Sequence, residues 1–203
     1  MDPNAILTFL QQPWIAIPIC AATVLAIAFL LKKPWTAAYV ALMPLINWSF
    51  AAVPTATIPD NLGGGEFQPL AIVTGLVLVF RDFAQREIRN WVLAAMLVGL
   101  ALSTLTSWIT VVFASGAAFL ISETVDWAVY TFTRRPLSQR IMISSAFSAP
   151  IDQVVFIFLA SQVVPGIFAW GTVITGIVSK LVGAAIVAYV VARRERADAV
   201  KAA

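Results

Sequence analysis

The sequence predicts an all-α, polytopic integral membrane bundle of about seven transmembrane helices, and three observations lead there. Of 203 residues, 61% are hydrophobic and only 11% charged, with a mean hydropathy of +0.91; soluble domains run at about half apolar and a quarter charged. The apolar residues are gathered into runs close to the roughly 20 residues that a helix needs to cross a bilayer. Finally, 12 of the 13 Lys and Arg residues fall in loops that alternating spans would collect on one side. The formal charge of +3 is therefore a statement about topology, and no nucleic-acid partner is expected from it.

Taken in order, the amino-terminal stretch MDPNAILTFLQQP has no Lys or Arg ahead of the first long run, unlike a cleaved signal peptide with its basic leader. That first run, Trp14 to Leu31, ends at Lys32-Lys33-Pro34, and residues 1–34 are read as an additional amino-terminal span. A second run, Trp35 to Val53, holds Pro44 and Asn47 and gives way to a loop with Pro54, Pro59 and Gly63-Gly64-Gly65. The third, from Pro69 to about Ile88, closes in VFRDFAQREIRN, where Arg81, Asp82, Arg86, Glu87 and Arg89 crowd the end. Residues 91–132 carry no charge before Glu123 and are too long for one span, so two are expected with a turn near Ser103 to Ser107. A sixth run, about Ile143 to Val164, stops at Pro165-Gly166, and a last one, Trp170 to Ala192, precedes a basic tail over 193–203. Residues 35–192 then form a six-helix core in one transmembrane domain. No strong internal repeat is visible, and so no inverted-repeat signature. The basic loops place the carboxy terminus in the cytoplasm and the amino terminus outside the cell membrane.

Composition also excludes chemistry. There is no histidine, and the lone cysteine, Cys20, sits in an apolar run. Zinc sites built from Cys and His, histidine-held haem, and Ser-His or Cys-His nucleophile pairs are all unavailable. The Gly63–Gly65 run lacks the Lys and Ser or Thr of a nucleotide loop, and GIVSKLVG lacks the Walker spacing. The chain is expected to be no enzyme, to need no cofactor or metal, and not to hydrolyse ATP by itself.

The most informative stretch is Phe113 to Phe132, which carries Glu123 and Asp126 inside an otherwise apolar run. At about 100° per residue, Ser115, Phe119, Ser122, Glu123, Asp126, Trp127 and Tyr130 share one arc of roughly 140°, opposite Leu120, Ile121, Thr124, Val125, Ala128, Val129 and Phe132. A carboxylate facing lipid costs at least about 2.5 kcal/mol, so such acids face a bundle interior or a water-filled cavity and mark ion or substrate routes. Asp152, with Gln153 beside it, lies roughly 12 Å from the basic end of its run and Glu123 roughly 15 Å, at about 1.5 Å per residue, so the acids can share a layer. Ser145, Ser148 and Asp152 form one stripe, and Gly176, Ser179 and Gly183 flank Lys180, small residues that let helices close around a charge.

Each feature also has a bland reading. Lys180 could neutralise one acid in an interhelical pair that glues the bundle, although buried pairs are weak evidence for stability. Four acids, Asp82, Glu123, Asp126 and Asp152, against one deep base favour a polar ligand or a bound proton instead. The Arg81 to Arg89 cluster reads as a solvated helix end, with Asp82 the exception. Trp14, Trp35, Trp91 and Trp170 sit at span starts like interfacial belt residues, whereas Trp48 and Trp127, beside Asn47 and Asp126, could stack on a flat ligand or simply pack.

The blocks VLVFRDFAQREIR, ASGAAFLISETVDWAVYTFTRRP, the serines leading to APIDQVVFIFLA, and the final GIVSKLVG together resemble the VUT family of queuosine-precursor transporters over about residues 45 to 192. The family's pattern has an Asn in its first core span, matched by Asn47, and an acid in the span-end motif, matched by Asp82. It continues with an acid or Gln followed three residues later by Asp, matched by Glu123 and Asp126, an Asp after serines, matched by Asp152, and a late Lys, matched by Lys180. The first span is an addition, the loop before the fifth span is short, and Arg86 stands where many members have an acid. The resemblance implies import of 7-cyano-7-deazaguanine or a related 7-deazaguanine. Glu123 or Asp152 would accept its N1–H and exocyclic amine, Asn47 and Lys180 would read acceptor groups, and Trp48, Trp127 or Phe119 would stack on the ring. Alternatives are a vitamin-binding subunit of an energy-coupling-factor importer, which needs a partner ATPase, and an intramembrane enzyme using Lys180 with Ser144, Ser145 or Ser179. A homo-oligomer or another coupling partner is left open.

Overall fold

The computed structural model describes residues 3–162 and 167–202. The chain divides into two compact units, one made of Met1–Pro54 with Phe80–Gly116, the other of Thr55–Val79 with Ala117–Ala203. The elements are α1 (Pro3–Leu10), α2 (Pro13–Leu25, continued by a π-helical turn over Ala26–Leu30), α3 (Pro34–Ala52), β1 (Ala56–Thr57), β2 (Glu66–Phe67), α4 (Ala71–Ile88), α5 (Val92–Ser103), α6 (Ile109–Phe132), α7 (Leu137–Ser161) and α8 (Trp170–Ala202).

In the first unit α3 packs against α5. Tyr39, Val40, Met43 and Ile46 of α3 and Val92 and Met96 of α5 are all buried, and Gly99 is small because Met43 lies against it. The turn after α5 is fastened to α3 by hydroxyls: Thr106 Oγ1 donates to the Pro44 carbonyl at 3.0 Å and Ser107 Oγ to the Asn47 carbonyl at 2.8 Å. From the other side the Gln11 carboxamide donates to the Thr104 and Ser107 carbonyls. The span that includes α2 has only 6% of its residues buried, and its exposed Trp14, Ile17, Leu25, Phe29 and Leu30 suit a lipid-facing helix.

In the second unit α7 packs along α8. The buried stripe of α7 runs through Ile141, Ser144, Ser145, Ser148, Ala149, Asp152, Gln153, Phe156, Ile157 and Ala160, a helical repeat that is polar for most of its length and apolar at its carboxy-terminal end. The first turns of α4 approach α8 backbone to backbone. A Cβ on Gly75 would press on the Lys180 carbonyl and stand 2.9 Å from Lys180 Cα, and one on Gly183 would stand 2.7 Å from the Ile72 carbonyl. Strands β1 and β2 form a small antiparallel hairpin, Ala56 opposite Phe67 and Thr57 opposite Glu66, where the sequence suggested only a loop.

Two helix starts share a device. Each lies at two basic residues followed by a proline, which opens α3 and precedes α7, and each is capped by a glutamate from a later helix. Glu87 accepts from the Trp35 and Thr36 amides and from Thr36 Oγ1, while Lys33 Nζ donates to the Glu87 carbonyl. Glu195 accepts from the Ser138 amide and, at 2.6 Å, from Ser138 Oγ. A carboxylate there satisfies amides that lack intrahelical partners and opposes the positive end of the helix dipole. Glu87→Ala is expected to lower stability by about 1 kcal/mol, the usual worth of a helix cap, read as a fall in the detergent-solubilised melting temperature.

Four segments are long and apolar enough to cross a membrane among the described residues: Pro13–Leu30, Val112–Val129, Leu137–Ser161 and Trp170–Ala199. The other candidates fall short for identifiable reasons. Thr36, Pro44, Asn47 and Ser49 dilute α3, α4 carries Arg81, Asp82, Arg86 and Glu87, and the 12 residues of α5 extend only about 18 Å. The turn between α5 and α6 falls at residues 104–108, where the sequence suggested it. Helix α7 starts at Leu137, six residues before the apolar run, because the Glu195 cap and the Pro136 boundary set its start rather than hydropathy. Helix α8 continues through the basic residues expected as a tail, reaching Ala202. The expected break at Pro165-Gly166 and the end of the sixth run at Val164 lie outside the described residues.

Candidate functional site

Helix α6 presents the two faces that its sequence suggests. Ser115, Phe119, Ser122, Glu123 and Asp126 are all buried, Glu123 to 1% exposure and Asp126 to 0%, while Leu120, Ile121 and Phe132 are exposed. Trp127 is half-buried; the Tyr130 side chain lies outside the described residues.

Within the second unit α6, α7 and α8 join through one polar network. Lys180 Nζ on α8 donates to Asp152 Oδ2 on α7 at 2.5 Å, with both side chains nearly inaccessible. The other oxygen, Asp152 Oδ1, accepts from Ser122 Oγ on α6 at 3.3 Å. One turn along, Ser148 Oγ on α7 donates to Asp126 Oδ1 on α6 at 3.4 Å. Two rungs thus connect α6 and α7, each an aspartate facing a serine, with the aspartate on alternate helices. Gln153 extends the network along α7, its Nε2 donating to the Thr172 carbonyl of α8 at 3.3 Å. Its carboxamide fills the space a side chain at Gly176 would need, so Gly176 is the reason Gln153 can lie across α8. Ser145 Oγ is buried on the same stripe with no hydrogen-bond partner among the described residues. Phe119 and Phe156, buried on α6 and α7 one turn beyond Ser122 and Asp152, bound the network with apolar rings at that end.

The arrangement offers carboxylate acceptors, a cationic donor, hydroxyls and a carboxamide in the middle of apolar helices, where each polar group must be satisfied from within the protein or by a ligand. The interhelical pair that the bland reading gives Lys180 is present, and Asp152 is the acid it takes. Of the proposed site residues, Phe119, Glu123, Asp126, Trp127, Asp152, Gln153 and Lys180 belong to this unit.

Asn47, Trp48 and Asp82 belong to the first unit. Asn47 is fully buried and its side-chain amide makes no hydrogen bond among the described residues. Trp48, 49% exposed, lines a cleft of about 280 Å³ with Gln11, Pro13, Ile17, Ser107 and Trp108. Asp82 accepts from Arg81 Nη1 at 3.0 Å, and both residues are inaccessible. This corrects the reading of Arg81 as part of a solvated helix end. An apolar run interrupted by Arg-Asp reads as a span boundary, but α4 runs through it and buries both residues. The buried cations among the described residues are therefore Arg81 and Lys180, and the imbalance inferred from one deep base is smaller than the sequence indicated. Burial of Arg81 had no signal in the sequence other than the acid next to it.

No curated protein and no solved structure matches the chain. Residues 67–193, which hold every network residue just described, match the model of a family described as "Putative vitamin uptake transporter". With more than half of its length matched and several apolar helices able to cross a membrane, the chain belongs to this family of membrane uptake transporters.

Proposed function

We propose that the chain carries a 7-deazaguanine, with 7-cyano-7-deazaguanine the preferred compound, across the cell membrane into the cytoplasm. The observation that supports this most is the Asp152 carboxylate, buried and held by Lys180 on one oxygen and Ser122 on the other. A guanine-type ring presents N1–H and an exocyclic amine side by side, a donor pair that one carboxylate accepts through both oxygens. Such a ring would take over the bonds that Lys180 and Ser122 now make, releasing the ammonium to donate to the ring carbonyl. Gln153 adds donor and acceptor capacity, Glu123 is the second acid able to read the same edge, and Phe119 and Trp127, each four residues from Glu123 on α6, are the aromatic residues for stacking. In this reading α3 and α4, about 28 and 27 Å long at 1.5 Å per residue, also cross the bilayer and the basic loops face the cytoplasm.

The test is ligand-induced stabilisation of the purified protein. 7-Cyano-7-deazaguanine at about 100 times its Kd should stabilise the fold by about 2.7 kcal/mol, guanine less, and unrelated vitamins not at all. Asp152→Asn and Glu123→Gln should weaken binding at least about tenfold, the effect of losing one charge-assisted bond. Full affinity in both variants would end the carboxylate reading. A second reading follows the family description of vitamin uptake: a vitamin-binding subunit that works with a separate ATPase. Uptake by this chain alone in a host without that ATPase separates the two.

A further inference from the structure

The hairpin formed by β1 and β2 lies at the end of the second unit that has no basic residues, and it is fastened to the start of α8 more tightly than a connecting loop requires. Gly63, Gly64 and Gly65 all have positive φ, 96°, 64° and 91°, a conformation that side chains other than glycine rarely adopt. They turn the chain back so that the Gly63 carbonyl accepts from the Gly171 amide at 3.2 Å and the Glu66 amide donates to Thr172 Oγ1 at 2.9 Å. The fit leaves no space for added atoms. A Cβ on Gly63 would stand 2.7 Å from the Gly171 nitrogen, one on Gly171 would press on the Gly64 carbonyl, and one on Gly65 would press on Thr172 Oγ1 and Ala169 Cβ. Ile58 is buried beneath the turn while most of residues 55–62 are exposed.

Thr172 is the shared residue. Its hydroxyl holds the hairpin through Glu66, and its carbonyl accepts from Gln153, the neighbour of Asp152. We propose that residues 56–67 are a gate over the Asp152–Lys180 network, latched on Thr172, and that Gln153 links the latch to the network. A ligand that draws the Gln153 carboxamide inward removes one bond from Thr172 and loosens the start of α8 on which the hairpin sits. Thr172 is a positioning residue in this scheme, acting through Gln153 and Glu66. The proposal rests on reading the network as the carrier's binding site, but the latch itself can be tested with no substrate present.

The probe is N-ethylmaleimide, applied to the full-length purified chain in which Cys20→Ser removes the native thiol. Val173→Cys reports at the latch, where Val173 is 2% exposed, and Ser145→Cys reports from the far end of the α7 stripe. With the latch intact the Val173→Cys thiol should react slowly. Adding Thr172→Val, which keeps the shape and removes the hydroxyl, should speed its alkylation about fivefold, the equilibrium shift from losing one hydrogen bond. Gly65→Val, which obstructs the seat outright, should speed it further, and Thr172→Ser should return it to the slow rate. Labelling at Ser145→Cys should not change. An unchanged Val173→Cys rate in both latch variants overturns the gate, and so does an equal increase at both reporters, which would mean general loosening of the unit. Ligand binding that fails while the latch result holds would reject the substrate and leave the gate standing.

Discussion

Replacing Lys180 with methionine should destabilise the protein by about 3–5 kcal/mol, the usual consequence of leaving one buried charge without its partner. The Asp152 carboxylate would keep Ser122 but lose its ammonium, at a position where its side chain is 6% exposed. Adding Asp152→Asn to Lys180→Met removes the stranded charge while keeping an acceptor for Ser122, and should recover most of the lost stability in detergent unfolding. Transport separates glue from function. If the pair only holds helices together, the double variant should also recover uptake. The carrier reading expects a stable protein that does not transport. Normal uptake by the double variant would remove Asp152 and Lys180 from the binding site.

The second large effect should come from Gly75→Val, a position with no side chain to carry a charge or a hydrogen bond. A Cβ there would press on the Lys180 carbonyl and stand 2.9 Å from Lys180 Cα. The obstruction is main chain, which cannot turn away as a side-chain tip does. Overpacking of this kind typically costs about 1–3 kcal/mol and more where the neighbours are rigid. The α4–α8 contact should open and carry Lys180 away from Asp152, so substrate affinity should fall along with the melting temperature. Gly116→Val is the matched control, since its nearest neighbours are the flexible end of Leu100, which can turn away, and it should change both measures less. Equal effects from the two substitutions would mean that the Gly75 contact does not position the lysine.

Much of the helical layout was legible because hydropathy and helical periodicity report burial directly. The two-faced character of α6, from Ser115 to Asp126, follows from residue spacing alone. What was not legible depends on partners distant in sequence. Nothing near Ser138 indicates that Glu195 will cap it, so the start of α7 could only be placed where the apolar run begins. Nothing near Arg81 distinguishes a guanidinium at a helix end from one enclosed by a longer helix. The hairpin was missed because strands of two residues carry no alternation to detect; the three glycines marked a turn but not the surface it would rest on. In the network, the acids stood out as charges in apolar runs, but Ser122 and Ser148 gave no sign of being their partners, since a serine in a span serves equally well as a small packing residue.

The alternating rungs between α6 and α7 also fix how these two antiparallel helices can slide. Advancing one past the other by a single turn in one direction would bring Asp126 opposite Asp152, exchanging two hydrogen bonds for a like-charge encounter that costs free energy in an apolar surrounding; in the other direction Ser122 would face Ser148 and Asp126 would face Ser144. A stripe with both acids on one helix would carry no such penalty, because no slipped register would set acid against acid. The alternation therefore opposes a one-turn ratchet in the direction that would pair the acids, whereas a small tilt of α6 against α7 keeps both rungs.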